Sequence, residues 1–322
     1  MCLLGCVTIV TGVLISAWPD LVSLYLGLGI CLGTGGCICA ITGVLQINKQ
    51  FTGSSRGLAH GFSLAGNTLG GLVLPGLIAL MVDSYGYMGA MFILAAIILN
   101  IFPAALVYNS SLEANVLNNN TDDGVRSTKS IYKNYRLWLC IFSMASTTIG
   151  YTNFGLYLPL HLHHSLELSK TTSASFISVF SVGDMLGRVS GPAMSDKWSP
   201  RWTWYCAGLA GAGTAMLLIP LATDVVMVGG LTLVAGLFSG VMVGVYPALL
   251  SDELGPENLS QTYPLSQTLA GVLNLAGPPL LGVLVTLMST SHVMVVLGSS
   301  LIIGSLPLFV SSILFCRRKE DV

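Results

Sequence analysis

An all-α integral membrane protein is the fold class that this sequence predicts, on three observations. Only 8% of the 322 residues are charged, where a soluble domain carries about 25%. The mean hydropathy is +0.78. The apolar residues fall in long charge-free runs, at or above the roughly 20 residues that a bilayer span needs. A soluble chain so composed could not cover itself with polar surface, which excludes soluble enzymes and disordered regulators. The net charge of -1 leaves no basic face for phosphates, so nucleic acid is excluded as a partner. Barrel strands would alternate over about 10 residues, and these Gly-, Leu-, Val- and Ala-rich runs do not.

Taken in order, residues 1–19, 21–48, 57–82 and 84–112 carry no charge and supply four spans. Residues 137–166 supply a fifth. Residues 171–195 supply a sixth, apolar except for Asp184 and Arg188. Residues 202–223 and 225–251 follow. The run 258–316 is long enough for two spans, divided at Ser289-Thr290-Ser291-His292. About ten transmembrane helices are therefore expected. Pro159, Pro192, Pro220, Pro247 and Pro264 are expected to kink or end helices, which bundles tolerate. The first run has no basic leader and no clear small-residue cleavage site, so a cleaved signal peptide is not expected. The eight cysteines lie in or beside apolar runs without paired-ligand spacing. They read as buried, reduced structural residues, and no metal or cofactor is expected.

Basic residues collect in cytoplasmic loops. With ten spans, one side holds Lys49, Arg56, Arg126, Lys129, Lys133, Arg136, Lys197, Arg201, Arg317, Arg318 and Lys319; the other holds only Lys170. The long loop and the C-terminus are therefore placed in the cytoplasm. The sequons at Asn109, Asn119 and Asn258 fall on that side and read as chance matches. The polar, Asn-rich loop divides the chain into an N-terminal bundle of four spans (1–109), a linker (110–136) and a C-terminal bundle of six (137–322).

The strongest chemical signal is Gly183-Asp184-Met185-Leu186-Gly187-Arg188 in the middle of a span. Each charge costs about 2.5–3.5 kcal/mol at a helix centre on insertion scales, so such groups survive by pairing or by facing a cavity. Their i, i+4 spacing puts both on one helical face. The guanidinium fork suits a carboxylate, so arrival of an anion at Arg188 would release Asp184 to take a proton. A permanently closed clasp between helices is the alternative. Tyr151, Asn153 and Tyr157 lie on the preceding span, with Asn67 and Asn274 on others. They could line a cavity or tie helices together. His161, His163 and His164 read as an interfacial anchor or a solvated cluster, with a metal site as the alternative. The acidic stretch Asp252, Glu253 and Glu257 reads as a gate ion-pair partner for basic residues of another loop, with a substrate site as the alternative.

Together these segments resemble the monocarboxylate transporter family of the major facilitator superfamily. Its signature YFxKRRxLAxGxAxAG is matched by Arg56, Leu58-Ala59, Gly61, Ala65-Gly66 and, with serine for alanine, Ser63; Phe51 keeps an aromatic ring at its first position, and Ser54 and Ser55 replace basic residues. Asp83-Ser84-Tyr85-Gly86 with Gly89-Ala90 is similar to the family's D-x-YGWRGA turn, with Met88 in place of its arginine. Tyr157-Leu158-Pro159, the GD-x-x-GR run ending at Arg188, Ser195-Asp196-Lys197 and Gly277-Pro278-Pro279 also fit. The resemblance implies a major-facilitator-type two-bundle transporter of the plasma membrane, with substrate near the midplane. It implies a proton-coupling role for Asp184 and a substrate-binding role for Arg188. The implied partners are a small organic anion, protons, the lipid bilayer and a single-span immunoglobulin-like ancillary glycoprotein. The resemblance begins at the family's third span, and the lysine of its first span has no counterpart. The alternative expectation is accordingly a non-transporting truncated isoform or an incomplete gene model.

Overall fold

The computed structural model describes residues 1–51, 55–107, 132–198 and 200–320. Every regular element among them is a helix. Most of the expected linker (110–136), and the sequons at Asn109 and Asn119, lie outside the described residues.

The helices are α1 (Cys2–Ile15), α2 (Leu21–Gln50), α3 (Ser55–Leu99), α4 (Ile101–Val107), α5 (Tyr135–Thr147) and α6 (Asn153–Ser165). They continue with α7 (Lys170–Ser195), α8 (Arg201–Leu218), α9 (Val225–Leu254), α10 (Leu259–Leu287) and α11 (Thr290–Glu320). Six segments among the described residues are long and apolar enough to cross a membrane: Leu21–Gln50, Ser55–Pro103, Arg201–Leu221, Val225–Leu254, Pro256–Leu287 and Thr290–Ser311. Ser55–Pro103 covers two of the expected spans. The break between them is at Gly86, whose φ of 71° is open to glycine and strained for other residues. The charged α7, the α5–α6 run and α1 account for the remaining expected segments; α1 has 14 residues and falls short of a span by itself.

The helix ends follow local chemistry. Ser169 caps α7 by accepting the Thr172 N–H at 3.1 Å, and Asn134 caps α5 through the Arg136 N–H. Gly255 ends α9 at a φ of 91°. Between α5 and α6 the chain makes one wider π turn, Thr148–Thr152. Such a bulge turns the following side chains to a new face, and Tyr151 lies within it.

The described residues form two compact units. One comprises 1–50 and 70–107, the other 51, 55–69, 132–198 and 200–320. In the first, α1 packs on α2 and α4. Glycines permit that approach: a Cβ at Gly12 would meet the Gly27 carbonyl oxygen at 2.6 Å. In the second, α9 packs along α7 and α8, and α8 along α11. A glycine stripe sets the α7–α9 distance. At Gly187 a Cβ would run into the Leu237 carbonyl oxygen, and at Gly240 into that of Asp184. Small residues are how helices pack closely where lipid removes the hydrophobic drive to associate. Tyr205, Phe154, Leu158, Leu209 and Met216 fill this unit's interior, while Val226, Leu275 and Leu287 stand exposed as lipid-facing side chains would.

Candidate functional site

Asp184 and Arg188 sit at the middle of α7, 1% and 2% exposed. Helical spacing brings them together: Arg188 Nε donates to Asp184 Oδ2 at 2.8 Å. Two further donors converge on that oxygen. The Thr68 hydroxyl reaches it at 2.7 Å and the Tyr151 hydroxyl at 3.2 Å. Tyr151 in turn accepts from Arg188 Nη2 at 2.7 Å, so a single hydroxyl bridges cation and anion. Arg188 Nη1 donates to the Leu64 carbonyl at 3.0 Å. Asp184 Oδ1 is buried and has no hydrogen-bond partner among the described residues. The pair is thus closed, with its charges matched and one carboxylate oxygen in reserve.

Local sequence explains the geometry. The π turn aims Tyr151 at α7, where its ring also lies against Phe180 at 5.9 Å between centroids. The start of α3 lies on α7 because Gly61 lacks a side chain. A Cβ there would collide with the Arg188 carbonyl oxygen and meet Pro192 Cγ at 2.8 Å. That contact brings the Leu64 carbonyl and the Thr68 hydroxyl to the pair.

Of the other residues singled out from sequence, Asn153 is fully buried, its amide donating to the Ile149 carbonyl at 3.0 Å, and its Oδ1 has no partner among the described residues. Tyr157 donates to the Pro278 carbonyl at 3.0 Å, tying α6 to α10. Neither has a hydrogen bond to the charge pair. Asn274 is half-buried on α10, and Asn67 is exposed on α3. On α3 the side chain that reaches Asp184 is that of Thr68, which sequence reasoning missed. Helical geometry turns each successive residue by about 100°, so Asn67 and Thr68 face different ways, and composition favours the larger amide.

A second charged cluster lies at the start of α3. Arg201 bonds to Asp196 at 2.7 Å and also to Asp252. Arg56 donates to Ser251 at 2.8 Å and lies 3.7 Å from Asp252. Arg136 pairs with Glu253 at 2.9 Å. Asp252 and Glu253 therefore do serve as ion-pair partners for basic residues. Asp196 also accepts the Leu58 N–H, one of the first-turn donors of α3. Among the histidines, His161 Nδ1 meets the Thr290 hydroxyl at 3.1 Å and His163 Nδ1 the Leu168 carbonyl at 2.7 Å. Those contacts anchor the end of α6.

Most of the chain is similar to curated transporters. Monocarboxylate transporter 12 of Xenopus laevis is 24% identical over 88% of this chain and 67% of its own length. Monocarboxylate transporter 11 of Mus musculus is 28% identical over 85% of this chain and 63% of its own. The chain thus spans about two thirds of the length of these curated relatives. In fold, it superposes on the human organic anion transporter MFSD10 with a TM-score of 0.71, at 14% identity, over 95% of this chain and 76% of the other. The proton:xylose symporter XylE gives 0.73, at 13% identity, over 96% and 78%. A sequence model of the Major Facilitator Superfamily matches residues 1–278 and 140–321. With its apolar helices, its buried intramembrane charges and these matches, the chain is a multi-pass membrane protein that belongs to the Major Facilitator Superfamily.

Proposed function

We propose that the chain carries monocarboxylates or similar small organic anions across the plasma membrane together with protons, by alternating access. Asp184 is the proton-coupling group and Arg188 the anion-binding group. The observation that supports this reading is the buried Asp184–Arg188 pair, bridged by Tyr151. Charge balance supplies the mechanism. At rest the site is neutral, guanidinium against carboxylate. A substrate carboxylate that displaces Asp184 from Arg188 leaves one uncompensated negative charge in a medium where unpaired charge is costly. A proton on Asp184 restores neutrality. Anion and proton are then favoured together and disfavoured apart, which is symport.

Tyr151 eases the exchange, since its hydroxyl can stay on Arg188 while Asp184 lets go. Asn67, Asn153, Tyr157 and Asn274 are the proposed cavity lining. The reading draws support from relatives named as monocarboxylate transporters and from fold neighbours named as an organic anion transporter and a proton symporter. The chemistry is binding and release, with no enzymatic step and no cofactor. A single-span immunoglobulin-like glycoprotein as ancillary partner rests on the family likeness alone.

The test is uptake of labelled short-chain monocarboxylates into liposomes holding the purified protein, with and without an inward proton gradient. Uptake should be saturable and accelerated by the gradient. Arg188→Lys keeps the charge but loses the fork, and should lose anion binding. Asp184→Asn should keep binding and lose the acceleration. Breaking a buried pair costs about 3–5 kcal/mol, so both variants are compared as monodisperse, folded protein. Wild-type binding and pH response in both would overturn the proposal.

A further inference from the structure

Cys2 and Cys6 stand one helical turn apart on α1 and share a face. Helix α2 lays Cys39 against that face. The Sγ atoms of Cys6 and Cys39 are 3.9 Å apart, and the three sulfurs all lie within 4.8 Å of one another. Glycines make the approach possible: a Cβ at Gly5 would meet Cys39 Sγ at 2.8 Å, and one at Gly35 would meet the Gly5 carbonyl oxygen at 2.7 Å. Cys2 and Cys6 are buried and Cys39 is half-buried, with Ala105 of α4 closing the cluster. Cys39 is the one partly exposed residue of the three.

The spacing has a chemical meaning. A disulfide needs its sulfurs about 2.05 Å apart. An ion held about 2.3 Å from each of three thiolates sets those sulfurs about 4 Å from one another. The Cys6–Cys39 separation, at which the two thiols hydrogen-bond to each other, matches the second value and not the first. No histidine or carboxylate joins the cluster among the described residues. Soft sulfur ligands select monovalent copper, zinc and iron–sulfur clusters; structural zinc takes four ligands and an iron–sulfur cluster four cysteines, so a set of three points to monovalent copper. We propose that Cys2, Cys6 and Cys39 form a three-sulfur site for a soft, thiophilic cation, specifically monovalent copper. Each thiol that ligates as a thiolate gives up one proton to solvent, and nothing is oxidised or reduced. The ion would staple α1 to α2, independently of the charge pair on α7.

The experiment uses the full chain in nanodiscs under anaerobic conditions, with monovalent copper buffered by a chromophoric chelator. One ion should bind per chain. Cys6→Ser and Cys39→Ser should each weaken binding by about a hundredfold or more, since even a group that only supports a ligand costs 10–100-fold. Cys37→Ser, an exposed thiol on the same helix, should bind as the unaltered chain does. A measurement on the unaltered chain removes any dependence on how the variants fold: copper should slow alkylation of Cys39, read by mass spectrometry, and leave Cys37 reactive. The site is wrong if the unaltered chain takes up no copper, if both serine variants bind as tightly, or if copper leaves Cys39 alkylation unchanged. Tighter binding of zinc than of copper would overturn the assignment of the ion.

Discussion

Tyr151 decides how tightly the buried pair is held, because one hydroxyl accepts from Arg188 and donates to Asp184. Tyr151→Phe deletes both bonds and leaves the ring against Phe180. Hydrogen bonds to charged groups contribute about 1.5–3 kcal/mol and neutral ones about 0.5–1.5. Tyr157→Phe removes one neutral bond, to the Pro278 carbonyl. Thermal unfolding in one detergent should therefore rank Tyr151→Phe clearly below Tyr157→Phe. Equal midpoints would mean that the pair does not depend on the bridge. Sequence made the pair itself legible, since two opposite charges at i, i+4 in an apolar run leave few alternatives. The bridge was half legible: Tyr151 stood out as a polar group in a span, but the π turn that aims it has no local signature. Thr68 and the Leu64 carbonyl were not legible, because what matters there is which part of α3 lies on α7. A backbone carbonyl carries no sequence signal at all.

At the scale of elements, glycine sets helix distance and ion pairs set helix ends. Gly187 faces the Leu237 carbonyl and lies 2.9 Å, by its would-be Cβ, from Gly240 Cα, whereas Gly230 on α9 has open space around it. Alanine improves intrinsic helix propensity by about 1 kcal/mol at either position. Gly230→Ala should therefore raise the melting temperature slightly, while Gly187→Ala should lower it, forcing α7 and α9 apart and displacing the neighbouring Arg188. A rise for both would show that the α7–α9 contact is looser than the structure has it. The ends of helices give a second contrast. The Asp196 side chain is 4% exposed, pairs with Arg201 and accepts a first-turn N–H of α3; the Glu253 side chain is 23% exposed and pairs with Arg136. Surface pairs contribute about 0–1 kcal/mol and buried ones cost about 3–5 to break. Asp196→Asn should unfold at markedly lower temperature than Glu253→Gln, and similar values would deny Asp196 its role at the start of α3. Sequence reading expected acidic loop residues to meet basic ones, and it could not name the pairs. Pairing across more than a hundred residues is a property of the packed chain.

For the whole molecule, charge-free length was enough to read the helices, because a span must satisfy its backbone internally and only a helix does so in one segment. It was not enough to read which segments pack together. Residues 51–69 form one compact unit with the chain beyond position 131, through Gly61, Leu64 and Thr68, and counting spans is blind to such contacts. The three-thiol cluster escaped for the same reason: Cys2 and Cys6 show helical spacing, but Cys39 joins them only through the glycine contacts of α1 and α2. Orientation, by contrast, rests on sequence alone. The bias that puts Lys49, Arg56, Lys197 and Arg201 on one side and Lys170 on the other leads to the expectation that the first side is cytoplasmic. Two exposed positions on opposite connections test it. Glu167 lies in the irregular connection just before α7, with a φ of 51°; Lys197 lies just after α7. On intact cells a membrane-impermeant maleimide should label Glu167→Cys above the unaltered chain. It should label Lys197→Cys only after permeabilisation. Neither change touches the charge pair, and the unaltered chain reports the background from its own cysteines. The reverse pattern would invert the topology. It would also place the Asn258 sequon outside the cell, where its glycosylation, now expected to be absent, would follow.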